Sequence, residues 1–342
     1  MKTKENIFVL LAVLVAIGIA SCYFFALPDR DGSMAQAIEE IPLNGSITKE
    51  KAELSGVAWV GDTLILLPQY PEKFGPKEGV LFAIPKQAIL DYLDGKSKEP
   101  LTPYEIVLSA PGLKDSIHDY EGFESIGSWN NTIYLTIESG KDHNMLGYLV
   151  SGTISADQKE IALDTSHIVE IEPAIQMDNR TDEALVITQN KIFTFFEVNG
   201  ASLNPHPAVH VFSLDLTPQD IISFPNLEYR VTDATLGPNG EIWVINNLTP
   251  NDAELFTKSD PLIEKYNVEN SAYVQQVERL VKLDFSVDGI TLANSPPVQI
   301  LLAKEPRNWE GLVLLDDRGF LLVTDKRPDT MLGFLPIPTP SK

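Results

Sequence analysis

The sequence predicts an all-β protein, a five-bladed β-propeller carried behind an N-terminal signal and lipid-anchor segment. Three observations support this. Five stretches repeat one hairpin pattern, the gaps between them hold further strand-like segments in pairs, and a segment near the N-terminus is available to complete the last unit. Repeated four-strand units of this kind are the mark of propeller blades.

The N-terminus is a separate object. Lys2 and Lys4 precede an apolar run, Ile7 to Ala20, and then Ile-Ala-Ser-Cys at 19–22. A short basic region, an apolar stretch of this length and small residues before the break read as an export signal over residues 1–21. Cys22 is the single cysteine of the chain. Its setting resembles a bacterial lipobox, in which that residue is lipidated and becomes the mature N-terminus. The alternative is an uncleaved anchor from Ile7 to Leu27, just long enough to span a bilayer. A cleaved, soluble form is a further alternative; all three readings export the domain, the first two hold it at the bacterial membrane, and a lone cysteine leaves no intrachain disulfide. Residues 22–37 read as a polar tether, 38–337 as the propeller and 338–342 as a tail.

The repeats are LSGVAWVGDTLILLPQY (54–70), YEGFESIGSWNNTIYLTIES (120–139), the 179–200 stretch NRTDEALVITQNKIFTFFEVNG, VTDATLGPNGEIWVINN (231–247) and WEGLVLLDDRGFLLVTDK (309–326). Each has a polar residue, a small one, an apolar strand, a tight polar turn and a second strand, which is a hairpin signal. The gaps supply outer strands at 79–84 and 104–108, 146–154 and 160–171, 209–216 and 220–224, and 277–285 and 297–303. The fifth unit runs out after 331–337, and its missing outer strand is expected from 38–45. A six-bladed alternative needs a further, divergent blade. Helical inserts are expected at Lys86–Asp94 and Asp252–Tyr266.

In a propeller the first strand of each blade lines the central axis, so equivalent residues converge there. The residue just before the small one is Ser55, Glu121, Glu183, Asp233 and Glu310. Four carboxylates in a narrow channel cannot all stay ionised unaided. A hard divalent cation solves this, and an all-oxygen set favours calcium. The simpler reading is that these are solvated residues at strand entrances.

A second register stands three residues upstream at His118, Arg180, Arg230 and Arg307. The second strands return to the same face at Gln69, Glu138, Glu197, Asn247 and Lys326. Arginine forks suit phosphate or carboxylate groups, so these basic and amide residues are expected to hold an anion. Each arginine pairing with a carboxylate of its own or a neighbouring blade is the equal alternative. The net charge of −22 argues against nucleic acid, and no P-loop, paired cysteines, G-x-S-x-G or H-E-x-x-H motif occurs. A monomer is expected.

The axial series resembles that of the calcium-activated nucleotidases (apyrases), five-bladed propellers in which a matching ring with Ser in the fourth place holds a central calcium. Ser55, Glu121, Glu183 and Glu310 match, and Asp233 replaces that Ser. The nucleotidase pattern has acidic residues after the second strand of its first blade, where this chain has LLPQYPEKFGP. SGVAW, YEGFES and NWEGLVLLDDRGFLLVTDK also resemble the bacterial "esterase-like activity of phytase" domain family, over most of residues 45–335. These readings together imply a metal-dependent hydrolase of a phosphoester or other anionic ester, with Glu138 or Glu197 activating water. A non-catalytic propeller that binds a cell-envelope ligand, with a structural calcium, is the alternative.

Overall fold

The computed structural model describes residues 35–49, 52–141, 144–256, 259–266, 275–286 and 289–337. The export signal, Cys22 and the tail lie outside these. Among the described residues no helix is long and apolar enough to cross a membrane.

The chain is all-β and builds five antiparallel meanders. Strand β1 (Glu39–Ile41) stands apart at the start. The first meander is β2 (Leu54–Val60), β3 (Thr63–Pro68), β4 (Val80–Pro85) and β5 (Tyr104–Ser109). The second is β6 (Tyr120–Trp129), β7 (Thr132–Lys141), β8 (Asn144–Ile154) and β9 (Glu160–Ile171). The third is β10 (Asp182–Ile187), β11 (Lys191–Phe196), β12 (Ala208–Ser213) and β13 (Pro218–Ser223). The fourth is β14 (Arg230–Leu236), β15 (Ile242–Leu248), β16 (Val277–Ser286), β17 (Gly289–Leu292) and β18 (Val298–Gln299). The fifth is β19 (Trp309–Leu315), β20 (Gly319–Thr324) and β21 (Leu332–Pro336), completed by β1, whose Glu39 pairs with Phe334.

Strands β2, β6, β10, β14 and β19 each pack beside the next, and β19 packs beside β2, so the five first strands close a ring. Apolar side chains fill every gap around it. Val60, Leu67 and Phe123 lie between the first and second meanders, Tyr134, Leu185 and Phe212 between the second and third. Phe193, Val231 and Val244 join the third and fourth, Ile245, Trp309 and Phe320 the fourth and fifth, and Leu54, Val57 and Leu321 the fifth and first. A sheet buried on both faces needs nearly continuous apolar strands. This is why TLILLP and KIFTFF show no clean alternation.

Four expectations shift. The outer strand of the fourth unit is split: only Val298–Gln299 of the expected 297–303 pairs with β16, and the rest of that edge is taken by β17. The outer edges of the first two meanders are joined by parallel pairing of β5 with β9, which covers an otherwise open edge. The helical inserts shrink to Lys86–Leu93 and Pro261–Tyr266. The end of the expected tether is fixed, because Gln36 donates its N–H to the Gln299 carbonyl at 2.8 Å.

Candidate functional site

Each ring strand carries a β-bulge near its start, at Leu54/Gly56, Tyr120/Gly122 with Phe123/Ser125, Asp182/Ala184, Val231/Ala234 and Trp309/Gly311. The extra residue of a bulge is unpaired and its side chain is re-aimed. Here those residues are Ser55, Glu121 and Glu124, Glu183, Thr232 and Asp233, and Glu310. The bulges explain how acidic residues can stand beside such apolar strands.

Two of the five expected ring positions are corrected. At the opposite end of the ring, the strands line a small cavity with residues 57–59, 126–128, 185–187, 234–236 and 312–313. Counting back two residues from the start of each run gives Ser55, Glu124, Glu183, Thr232 and Glu310. Hydrogen bonds agree. Ser55 Oγ donates to the Phe123 carbonyl at 2.7 Å, and Thr232 Oγ1 donates to the Trp309 carbonyl at 2.6 Å. In both, a hydroxyl binds the residue just ahead of the next strand's glutamate.

Glu121 is exposed and does not line the cavity, whereas Glu124 is buried and lines it at the polar end. The cause is Gly122, whose φ of +140° turns the chain. A Cβ there would lie 2.6 Å from Gln69 Cγ and 3.0 Å from the Gln69 carbonyl oxygen. Asp233 is buried but faces β19, accepting from the N–H groups of Ala234 at 2.8 Å and Leu312 at 2.6 Å. It ties two strands together, and burial raises its pKa well above the ordinary range.

The polar end encloses about 500 Å³. Ser55, Gln69, Glu124, Glu138, Glu183 and Glu310 line its inner part. Arg180, Lys326 and Arg327 line the mouth with Glu53, Asp252 and Asp325. Arg230 crosses the axis. Its Nη2 donates to Glu310 Oε1 at 3.2 Å and to Glu183 Oε2 at 3.4 Å, its Nη1 to Asn308 Oδ1 at 3.0 Å, and its Nε to Glu197. Arg180 Nε lies 3.1 Å from Glu197 Oε2, close enough for an ion pair but not aligned as a hydrogen bond. Its Nη2 donates to Asp252 at 3.0 Å. Lys326 pairs with Glu53.

The expected basic set is therefore only partly assembled at the cavity. His118 is outside it, with its side chain 91% exposed and Nδ1 2.8 Å from Asp119. Arg307 lies behind it, bound through Nε to Glu278 at 2.8 Å and through Nη2 to the Leu301 carbonyl at 2.6 Å. Asn247 is buried against the Arg307 carbonyl and Asn308. Of the two expected bases, Glu197 is fully buried beneath the cavity rather than lining it. Burial opposes its ionisation, but Arg180 and Arg230 prevail and lower its pKa.

Glu138 lines the cavity and is 2% exposed. Its Oε2 accepts from Thr181 Oγ1 at 3.0 Å, and no hydrogen bond to Oε1 is seen among the described residues. Burial, then the charge of Glu197, pushes its pKa up to about 7. Burial pushes Glu310 up to about 8, opposed by Arg230 and supported by Asp325. Burial also holds Glu124 and Glu183 well above the ordinary range.

Among the described residues no three His, Cys, Asp or Glu side chains are grouped as metal ligands, and a guanidinium already bridges Glu183 and Glu310.

No family model matches the sequence, and no curated protein is significantly similar to it. Solved structures of similar fold include a glucose dehydrogenase, with a TM-score of 0.45 and 10% identity, covering 88% of this chain and 100% of that one. An α-L-arabinanase variant from Cellvibrio cellulosa has a TM-score of 0.45 and 13% identity, covering 83% and 90%. An endo-arabinanase from Bacillus licheniformis has a TM-score of 0.44 and 11% identity, covering 85% and 94%.

Proposed function

We propose that the chain is a five-bladed β-propeller, exported and held at a membrane by a lipid on Cys22, whose axial cavity hydrolyses a small anionic ester. The observation that carries the reading is Glu138, a buried carboxyl that lines the cavity, whose Oε1 meets no hydrogen-bond donor among the described residues and whose pKa burial and Glu197 push up to about 7. A general base is most effective when its pKa lies near the working pH. Ionised Glu138 takes a proton from the attacking water. Glu310, with its higher pKa, stays protonated at neutral pH and gives its proton to the leaving oxygen. Two carboxyls whose surroundings set their pKa values apart divide acid and base roles in this way. The anionic group of the ester enters among Arg180, Lys326 and Arg327, displacing Asp252 and Glu53 from the first two. The hydroxyl in the fourth ring place, Thr232, supports the resemblance to the nucleotidase series better than Asp233 does.

A second reading, a binding module without catalysis, is favoured by the pairing of Arg180, Arg230 and Lys326 with the protein's own carboxylates. Turnover separates the two. Phosphate, carboxylate and lactone esters are to be screened with the wild type and Glu138→Gln. The hydrolase reading expects kcat to fall by about 10²-fold or more in a variant that stays folded. Full activity in Glu138→Gln, or no turnover of any ester by the wild type, rules it out.

A further inference from the structure

Not every carboxyl of the cavity has a counter-ion. Glu183 and Glu310 share Arg230, and Glu53 pairs with Lys326 and Lys73. Glu124 and Glu138 have no basic side chain within ion-pair distance among the described residues. Glu124 is 8% exposed and lines the cavity. Its Oε1 accepts from Gln69 Nε2 at 2.9 Å, and its Oε2 meets no hydrogen-bond donor among the described residues. Gln69 is itself fixed, since its N–H donates to the Glu53 carbonyl at 2.7 Å and its carbonyl accepts from the Phe123 N–H at 3.0 Å.

A carboxyl in this setting works against the fold. Buried polar groups normally find partners, and an unpaired buried charge is costly. The groups around Glu124 make this worse. After burial, the charges of Glu138 on β7, Glu310 on β19 and Glu197 after β11 all oppose its ionisation. Tyr70 and Tyr120 stand on the same side and offer no positive charge; burial first, and then Glu124 among other carboxylates, raises the pKa of each. Arg180 acts on Glu138 but is already held by Glu197 and Asp252. A group that destabilises the empty protein and has an oxygen facing a cavity is suited to a partner from outside.

The partner that complements it is a cation with few, directed protons. A metal ion asks for about 6–8 oxygens, far more than two free carboxyl oxygens supply. A primary ammonium has three donors. Strands β6 and β7 bring the two glutamates to one place, because Glu138 pairs with Gly122, two residues before Glu124. Ser55 Oγ, bound to the Phe123 carbonyl next to Glu124, keeps lone pairs to accept with. We propose that Glu124, with Glu138 and Ser55 beside it, is the subsite for a primary ammonium group, so that the ligand of the cavity carries an amine at one end and an anion at the other. This names the substrate class of the hydrolase reading and rests on that reading only in sharing its cavity and anion-binding mouth. An ammonium binds the ionised carboxyl, so its arrival sends the proton of Glu124 to bulk water. The same positive charge favours ionised Glu138, the form a general base needs.

The test is calorimetry on the full chain with phosphoethanolamine, phosphocholine and ethyl phosphate. The second probe has a cation without N–H groups, and the third has no cation. Wild type is expected to bind phosphoethanolamine about 10-fold or more tightly than either, the worth of a charge-assisted hydrogen bond. Glu124→Gln is expected to fold and to bind all three alike. In buffers of different ionisation enthalpy at pH 7, wild type is expected to release about one proton more per phosphoethanolamine than Glu124→Gln. Should Glu124→Gln not fold, the wild-type preference and its proton release decide the matter. Equal wild-type affinity for phosphoethanolamine and either other probe overturns the proposal, as does an amine preference that survives in Glu124→Gln. A wild type that binds none of the three overturns it too. An amine preference without turnover of any ester keeps this inference and removes the hydrolase; turnover without an amine preference does the reverse.

Discussion

The same five strands present opposite chemistries at their two ends. At one end, bulges aim glutamates and hydroxyls into a cavity of about 500 Å³ in which charges are paired, shared or protonated. Two to four residues further on, Ala58, Gly127, Val186, Leu236 and Val313 are among the residues that surround about 180 Å³ at the other end. Nothing in strand propensity distinguishes the ends, since the backbone ring is continuous. The difference lies in the bulges. A regular strand would alternate its side chains between the two packed faces. One extra residue leaves the ladder and points along neither face, so a polar group reaches the axis without crossing a core. The polar end is therefore specified by electrostatics and the apolar end by packing, and the two should respond to different perturbations.

The largest expected effect comes from breaking the charge network. Glu197 is fully buried between Arg180 and Arg230. Replacing it with Leu removes the carboxylate shared by Arg180 and Arg230, which keep only their ion pairs with Asp252, Glu183 and Glu310, and breaking a buried pair in this way costs up to about 3–5 kcal/mol. At the apolar end Leu312→Ala removes packing alone, at about 2–5 kcal/mol. Urea denaturation gives both values. The contrast is sharpened by repeating each above and below neutrality, because only the first variant alters charge. A Glu197→Leu protein as stable as the wild type breaks the comparison.

Next comes pH. Glu138 rises from an ordinary 4.5 to about 7 and Glu310 to about 8. The folded protein holds these protons at pH values where the unfolded chain has released them. The stability they provide is complete below about pH 4.5 and is lost as pH climbs through 7 to 8. Glu138 alone accounts for about 3 kcal/mol of that decline. Glu197, with its pKa lowered, acts oppositely and loses its contribution as pH falls below the ordinary carboxylate range. Melting curves across pH 5–8 are expected to show a falling Tm, a shallower fall in Glu138→Gln and an unchanged slope in Leu312→Ala. A flat wild-type profile means the polar end does not hold those protons.

Much of this was legible in the sequence. Apolar runs between Gly-Asp, Asn-Asn and Asn-Gly turns marked the five hairpins, and the spare N-terminal strand was visible because the last repeat lacked a partner. Three ring residues, Ser55, Glu183 and Glu310, were found by counting from the small residue that follows them. The same rule failed in β6, where an extra bulged residue, Glu121, stands ahead of the ring position, and in β14, where one, Asp233, stands just after it. Counting back from the hairpin turn would have favoured Glu124, since Ser55 lies five residues before the end of β2 and Glu124 five before the end of β6. The neutralising role of Arg230 was less visible. Arg180, Arg230 and Arg307 looked alike by repeat position, and only tertiary packing sends Arg307 to Glu278 while Arg230 crosses the axis. Asp252 lies in an insert with no repeat to place it, so its approach to Arg180 had no sequence signal.

The smallest expected effect tests the register itself. YEGFES holds two glutamates, and the sequence offers either as the ring member. Glu121 is exposed, and a surface substitution away from special features changes stability by no more than about 0.5 kcal/mol. Glu121→Gln is therefore expected to leave the urea midpoint unchanged at pH 6 and at pH 8. Glu124 is buried among Glu138, Glu310 and Glu197, whose charges oppose its ionisation after burial itself. Its Oε1 accepts from Gln69 Nε2 at 2.9 Å, and a Gln side chain keeps that acceptor. Glu124→Gln removes only a carboxyl that the fold disfavours in its charged form, so at pH 8 it is expected to stabilise by roughly 1 kcal/mol. The gain should shrink as pH falls toward the ordinary carboxylate range, because the raised pKa of the wild-type carboxyl costs less there. If instead Glu124→Gln destabilises at pH 8 while calcium is present, and EDTA abolishes the difference, the carboxylate is a metal ligand. If Glu121→Gln shows the larger, pH-dependent effect, the register set by the small residue is correct and the bulge at Phe123/Ser125 does not aim Glu124 inward.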